Sequence, residues 1–139
     1  AFPMIQIIAG KKGSGKTKRI IDMTNAKVKE DNHSVVFIDD DDRYRLDIDH
    51  DARFINATEY KLLTPEMFLG FLCGMLSSNY DIGTIFIDAF KHLLKIDLKD
   101  SEWFFERLEE LCQKHDVDFV LSVSEDPDNL PEFMAGYLI

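Results

Sequence analysis

Five short apolar runs punctuate this chain, and the stretches between them carry apolar residues at helical spacing. Ile5-Gln6-Ile7-Ile8-Ala9 ends at Gly10, and Val35-Val36-Phe37-Ile38 ends at four aspartates, Asp39 to Asp42. Arg53-Phe54-Ile55-Asn56 is shorter, Thr84-Ile85-Phe86-Ile87-Asp88 closes on a carboxylate, and Phe119-Val120-Leu121-Ser122-Val123 comes last. Runs that are apolar on both faces read as buried strands. Ile20, Ile21, Thr24 and Val28 predict a helix from Lys16 to about Asp31. Thr64-Pro65, a hydroxyl N-cap followed by proline, starts a second helix that runs to about Asn79. Ser101 as N-cap with Glu102 in the first turn starts a third, to about His115. Asp126-Pro127-Asp128-Asn129 reads as a turn, with a short helix after it. Strands alternating with helices predict an α/β fold, a parallel sheet with helices on both faces in three layers. No repeat or linker interrupts the pattern, so residues 1–139 form one domain. Met4 reads as the natural start, with Ala1-Phe2-Pro3 a leftover ahead of it.

Composition narrows the function classes. The chain has 139 residues, 45% of them hydrophobic and 11 of them Phe, which excludes intrinsic disorder. Acidic residues outnumber basic ones 26 to 16, for a net charge of −10, so a nucleic-acid partner is not expected. No apolar run reaches the ~18 residues that a membrane span needs. Cys73 and Cys112 lie in apolar helical surroundings outside any CxxC pattern and read as buried free thiols. That usage, with no signal-peptide layout, fits a cytoplasmic protein.

The informative motif is Gly10-Lys11-Lys12-Gly13-Ser14-Gly15-Lys16-Thr17, which satisfies G-x-x-x-x-G-K-S/T, the P-loop or Walker A pattern. An apolar strand precedes it and a helix follows. Glycines let successive N–H groups point into one concavity, and the helix N-terminus adds partial positive charge there. In this reading Lys16 reaches the β- and γ-phosphates of a nucleotide and Thr17 places its hydroxyl on Mg²⁺. Asp88, at the end of an apolar strand, fits the Walker B carboxylate that completes the metal site.

On these residues the chain resembles the P-loop NTPase superfamily over most of its length. Within it the chain looks most similar to the RecA-like and thymidine-kinase-type groups, because Asp41-Asp42-Arg43-Tyr44 after the second strand matches the D-x-R-Y stretch of those kinases. It also resembles small bacterial ATP-binding proteins labelled twitching-motility-ATPase-like. Departures accompany the likeness. Ala89 stands where thymidine kinases have Glu, and the cysteine pairs of their zinc-binding lasso are missing. The loop also resembles the deviant Walker A of dimeric partitioning ATPases, with Lys11 at their signature lysine but Lys12 in place of a glycine. The resemblance implies an Mg²⁺-dependent ATP-binding protein and slow ATPase. ATP is favoured over GTP by the resemblance and by the lack of an N-K-x-D motif. The alternatives are a nucleotide-dependent switch with little hydrolysis, or a small-molecule or nucleoside kinase.

Hydrolysis needs a group that orients or deprotonates water. With Ala89 after Asp88, the candidates are Asp39 and Asp40 at the end of the second strand and Glu125 past the last one. The bland reading of Asp39 to Asp42 is a solvated acidic turn. Asp47, Asp49, His50 and Asp51 have ligand chemistry but read as an exposed acidic loop. Ser122 and Ser124 are candidate phosphate sensors or plain strand hydroxyls. Arg43, Arg45 and Arg53 are candidate arginine fingers or surface partners of nearby aspartates. The helix over residues 64–79 is apolar nearly all round, and Gly70 and Gly74 would let another element approach. With the apolar segment Phe133 to Ile139, it is the expected surface for a homo-oligomer or a protein partner.

Overall fold

The computed structural model describes residues 4–30 and 32–139. The readings of Ala1-Phe2-Pro3 and of a helix end at Asp31 lie outside these residues. Five strands, β1 (Ile5–Gly10), β2 (Ser34–Asp39), β3 (Arg53–Asn56), β4 (Ile82–Ile87) and β5 (Asp118–Ser124), form one sheet in the order β1-β5-β4-β2-β3. Every strand pair is parallel. Helices α1 (Lys16–Glu30), α2 (Pro65–Ser78), α3 (Phe90–Leu94) and α4 (Glu102–His115) lie between the strands.

Side-chain alternation along the strands divides the core in two. Ile7, Val36, Ile38, Ile85, Ile87, Phe119 and Leu121 face α2, α3 and α4, where Phe68, Phe90, Phe104 and Phe105 pack in edge and stacked ring contacts. Ile8, Val35, Phe37, Phe86 and Val120 face the other way, onto Ile20 and Ile21 of α1 and onto Ile48 and Ala52 from the segment before β3. The sheet is therefore flanked by helices on both faces. No helix of the described residues is long and apolar enough to cross a membrane.

Of the two N-cap signals read from the sequence, one forms its cap bond and one does not. Thr64 accepts a bond from the Met67 amide at 3.1 Å, and Pro65 opens α2 as its sequence predicts. Ser101 differs. It sits at the N-cap position of α4, but its hydroxyl donates to the Leu98 carbonyl at 2.7 Å and makes no cap bond. The 3₁₀ turn Leu98–Asp100 immediately before it offers that carbonyl, and Ser101 is buried against it. The expected closing helix is a 3₁₀ turn, Glu132–Tyr137. α3 escapes the sequence pattern because five residues give a single apolar repeat, Phe90, Leu93 and Leu94.

Cys112 is buried, and burial pushes its thiol up to about 12, whereas Cys73 is only half-buried. α2 buries Phe68, Leu69, Leu72 and Leu76 and leaves Met67 exposed. Nothing among the described residues approaches Gly70 or Gly74: a Cβ at either would meet no atom within 4 Å. The apolar C-terminal segment is used within the chain. Met134 is fully buried, Phe133 and Tyr137 pack on Phe105, and the Ile139 amide bonds to Ile7 O at 3.1 Å along the outer edge of β1.

Candidate functional site

The parallel register brings the carboxyl ends of the strands to one edge of the sheet. Gly10 pairs with Ser124 there, and Asp88 and Asp39 sit next to each other because Ile87 of β4 is in register with Ile38 of β2. The Asp88 amide donates to Ile38 O at 2.8 Å, which fixes the chain where it leaves the sheet. A cleft of about 570 Å³ opens at this edge. The glycine-rich loop, the end of β2 and the end of β4 form its walls.

The loop between β1 and α1 is tightly wound. Gly13 and Gly15 have φ of 84° and 88°, a conformation that other residues adopt only at a cost. Gly10 is needed for space, since a Cβ there would run into the Ser14 hydroxyl. The Ser14 amide bonds to Lys11 O at 3.1 Å, and the Lys16 ammonium folds back to the same carbonyl at 3.0 Å. Lys16 is buried, and burial lowers its pKa, with the Asp88 charge working in the opposite direction. An ammonium held this way is a strong partner for an anion that enters the cleft.

Thr17 follows at the first turn of α1, and its hydroxyl donates to Asp88 Oδ2 at 3.1 Å across 71 residues of chain. The other Asp88 oxygen, Oδ1, accepts from the Ser122 hydroxyl, which in turn accepts from the Ala89 amide at 3.0 Å. Ala89 has φ 56° and ψ 36°, a left-handed conformation that costs about 1–2 kcal/mol in a non-glycine residue. That turn aims its amide at Ser122, so Asp88 is held by a hydroxyl on each side. A hydroxyl beside a carboxylate suits a hard cation with oxygen ligands.

At the end of β2, Asp39 is 2% exposed. Its Oδ1 accepts from the Asp40 amide at 2.7 Å, and its Oδ2 has no hydrogen-bond partner among the described residues. Burial raises its pKa to about 8; the Asp40 amide bond opposes the rise, while the interaction with the Asp40 carboxyl and the negative charges of Asp88 and Asp40 add to it. Asp40 Oδ2 lies 2.8 Å from His92 Nδ1 of α3.

Of the residues that the sequence singles out, Lys12, Gly13, Gly15, Lys16, Thr17, Asp39, Asp40 and Asp88 line the cleft together. Gly10 and Ser14 shape the loop behind it. Lys11 turns away and sits 3.6 Å from Asp126. Glu125 is not brought to the lining: Lys91 holds it at 3.0 Å and lowers its pKa. Ser122 is buried under Asp88, and Ser124 reaches the cleft instead. Arg43 and Tyr44 also line it, while Arg45 pairs with Asp42 at 2.9 Å and lies over the Phe54 ring. Half-buried Asp49 and exposed His50 and Asp51 cluster away from it. The sequence pattern did not assign Lys91 and His92. Their signal is the spacing of Phe90, Leu93 and Leu94, which turns both outward from a short helix. No protein-family model matches this chain, and no curated protein matches it.

Proposed function

We propose that this protein is a P-loop ATPase of low turnover that binds ATP with Mg²⁺ in the cleft at the carboxyl ends of β1, β4 and β2. The observation that carries the reading is the contact of Thr17 with Asp88, beside a buried Lys16, at a helix that starts from a positive-φ glycine. The loop amides and the α1 N-terminus would take the phosphates, and Lys16 would exchange its Lys11 carbonyl for them. Thr17 and Asp88 fit Mg²⁺, since both offer oxygen and the ion keeps several of its own waters. Bound there, Mg²⁺ would offset the phosphate charge. Ser122 acts through Asp88 as a positioning residue. Asp39 and Asp40 are the carboxylates best placed to handle the water proton, and Asp39, with its pKa raised to about 8, sits near the range that acid–base work needs.

Calorimetry with ATP and Mg²⁺ tests the reading. Removing a charge from a desolvated pair costs about 2–5 kcal/mol, so Lys16→Ala should lose nearly all measurable affinity. Unchanged affinity in Lys16→Ala would overturn the assignment.

A nucleotide-dependent switch with little hydrolysis is the second reading. Ala89 after Asp88 and the capture of Glu125 by Lys91 favour it. Phosphate release that does not respond to Asp39→Asn or Asp40→Asn, with ATP binding intact, selects the switch. Self-association would use the exposed Met67 of α2 with Leu63 just before that helix, since the C-terminal segment is already packed.

A further inference from the structure

Burying a carboxylate oxygen without a partner is costly, and such groups are met by a proton, a donor or a cation. Asp39 Oδ2 has no donor among the described residues, although its side chain is 2% exposed. It does not stand alone. One ligand oxygen each from Asp39, Asp40 and Asp41 lie within 4.8 Å of one another, and all three residues line the cleft. Oxygens that close together can share one hard divalent cation, whose bonds to carboxylate ligands are ~2.4 Å. The three carboxylates are also held in place. Asp39 accepts the Asp40 amide, Asp40 lies against His92, and Asp41 Oδ1 accepts the Arg43 amide at 2.9 Å. The Arg43 charge acts on Asp41 and Asp39, yet among the described residues no lysine or arginine forms a salt bridge with any of the three carboxylates.

We propose that Asp39, Asp40 and Asp41 form a divalent-cation site at the end of β2, separate from the Thr17–Asp88 pair, that takes a hard ion such as Mn²⁺ or Ca²⁺ through oxygen ligands alone. The ion supplies the partner that Asp39 Oδ2 lacks. The site needs no nucleotide, so it is tested apart from the ATP reading; with an ion bound, Asp39 and Asp40 act as its ligands and not as proton acceptors.

Mn²⁺ titration followed by electron paramagnetic resonance, without nucleotide, tests it. The wild-type protein should bind Mn²⁺, and Ca²⁺ should displace it. Asp41→Asn and Asp40→Asn should weaken binding by at least about tenfold, since even support residues of a metal site are worth 10–100-fold. Asp42→Asn makes the same charge change at the neighbouring, exposed residue, which pairs with Arg45, and should leave binding intact. Circular dichroism confirms that each variant is folded. Absent wild-type binding, full affinity in both Asp41→Asn and Asp40→Asn, or equal weakening in Asp42→Asn would each overturn the proposal.

Discussion

Asp39, Asp40 and Asp41 after β2 and Asp49, His50 and Asp51 before β3 each gather three ligand-type side chains within 4.8 Å. They are close in sequence and equal in ligand count, and the Asp49 and Asp40 side chains are about equally covered, 23% and 24% exposed. In the second group His50 and Asp51 are exposed and none of the three residues is fully buried. Its His50 side chain is 94% exposed and sits 3.7 Å from Asp49 and 3.5 Å from Asp51. Asp49 Oδ1 accepts the Asp51 amide, and Asn25 accepts the Asp49 amide at 2.8 Å. Water and local amides therefore satisfy it. The first group grows out of a sheet interior and leaves a buried oxygen unmet. Charge density does not separate a site from a solvated turn here. Burial with an unfilled hydrogen-bonding position does.

The largest expected effect tests that burial directly. In chelator, the folded state holds the Asp39 proton up to a pH of about 8, while the unfolded chain releases it near the ordinary carboxylate value. Between those points the unfolded state binds fewer protons, so Asp39 makes stability fall as pH rises and then level off above about 8. Asp39→Asn removes the titration and keeps an acceptor for the Asp40 amide. Its melting temperature should match the wild type near pH 4 and exceed it by several degrees at pH 9. A constant offset across that range would show that Asp39 is not buried as a strained acid. Asp49→Asn should show no such pH dependence.

Second in size is Ser122→Ala. It removes a donor to Asp88 Oδ1 and leaves the Ala89 amide without its acceptor in a buried setting. Such a loss costs about 1–3 kcal/mol, visible as a lowered melting temperature. The same variant should weaken Mg²⁺-dependent ATP binding without abolishing it, because Thr17 still holds Asp88 Oδ2. Wild-type stability in Ser122→Ala would mean that the polar set under the cleft carries no structural weight.

How far the sequence revealed each part follows from whether the signal is local. The loop Gly10 to Thr17 is a contiguous motif, and Asp88 follows its own strand, so both are readable, and Lys12, Gly13, Gly15, Lys16, Thr17 and Asp88 line the cleft. The alternation of strands and helices also sufficed for the all-parallel sheet with helices on both faces. Ser122 under Asp88 was not readable, because it depends on β5 lying between β1 and β4. The same holds for the Asp39 environment, which depends on β2 lying beside β4. Ser101 looks like a cap in sequence, and only the Leu98–Asp100 turn beside it redirects the hydroxyl. Glu125 is a candidate carboxylate in sequence, and the Lys91 that holds it comes from α3, 34 residues away.

The smallest effect is the control on which the comparison rests. His50 and Asp51 have the residue types of a metal or acid–base site, and a ligand-type reading of sequence alone would rank them with Asp39. Their charges are solvated, and exposed ion pairs of this kind contribute about 0–1 kcal/mol. His50→Ala and Asp51→Asn should each shift stability by no more than about 0.5 kcal/mol, and neither should change Mn²⁺ or ATP affinity. Chemical denaturation and the same titrations check this. A loss of Mn²⁺ binding in His50→Ala would place the ion in the exposed turn, and burial would then be the wrong criterion for telling the two acidic groups apart.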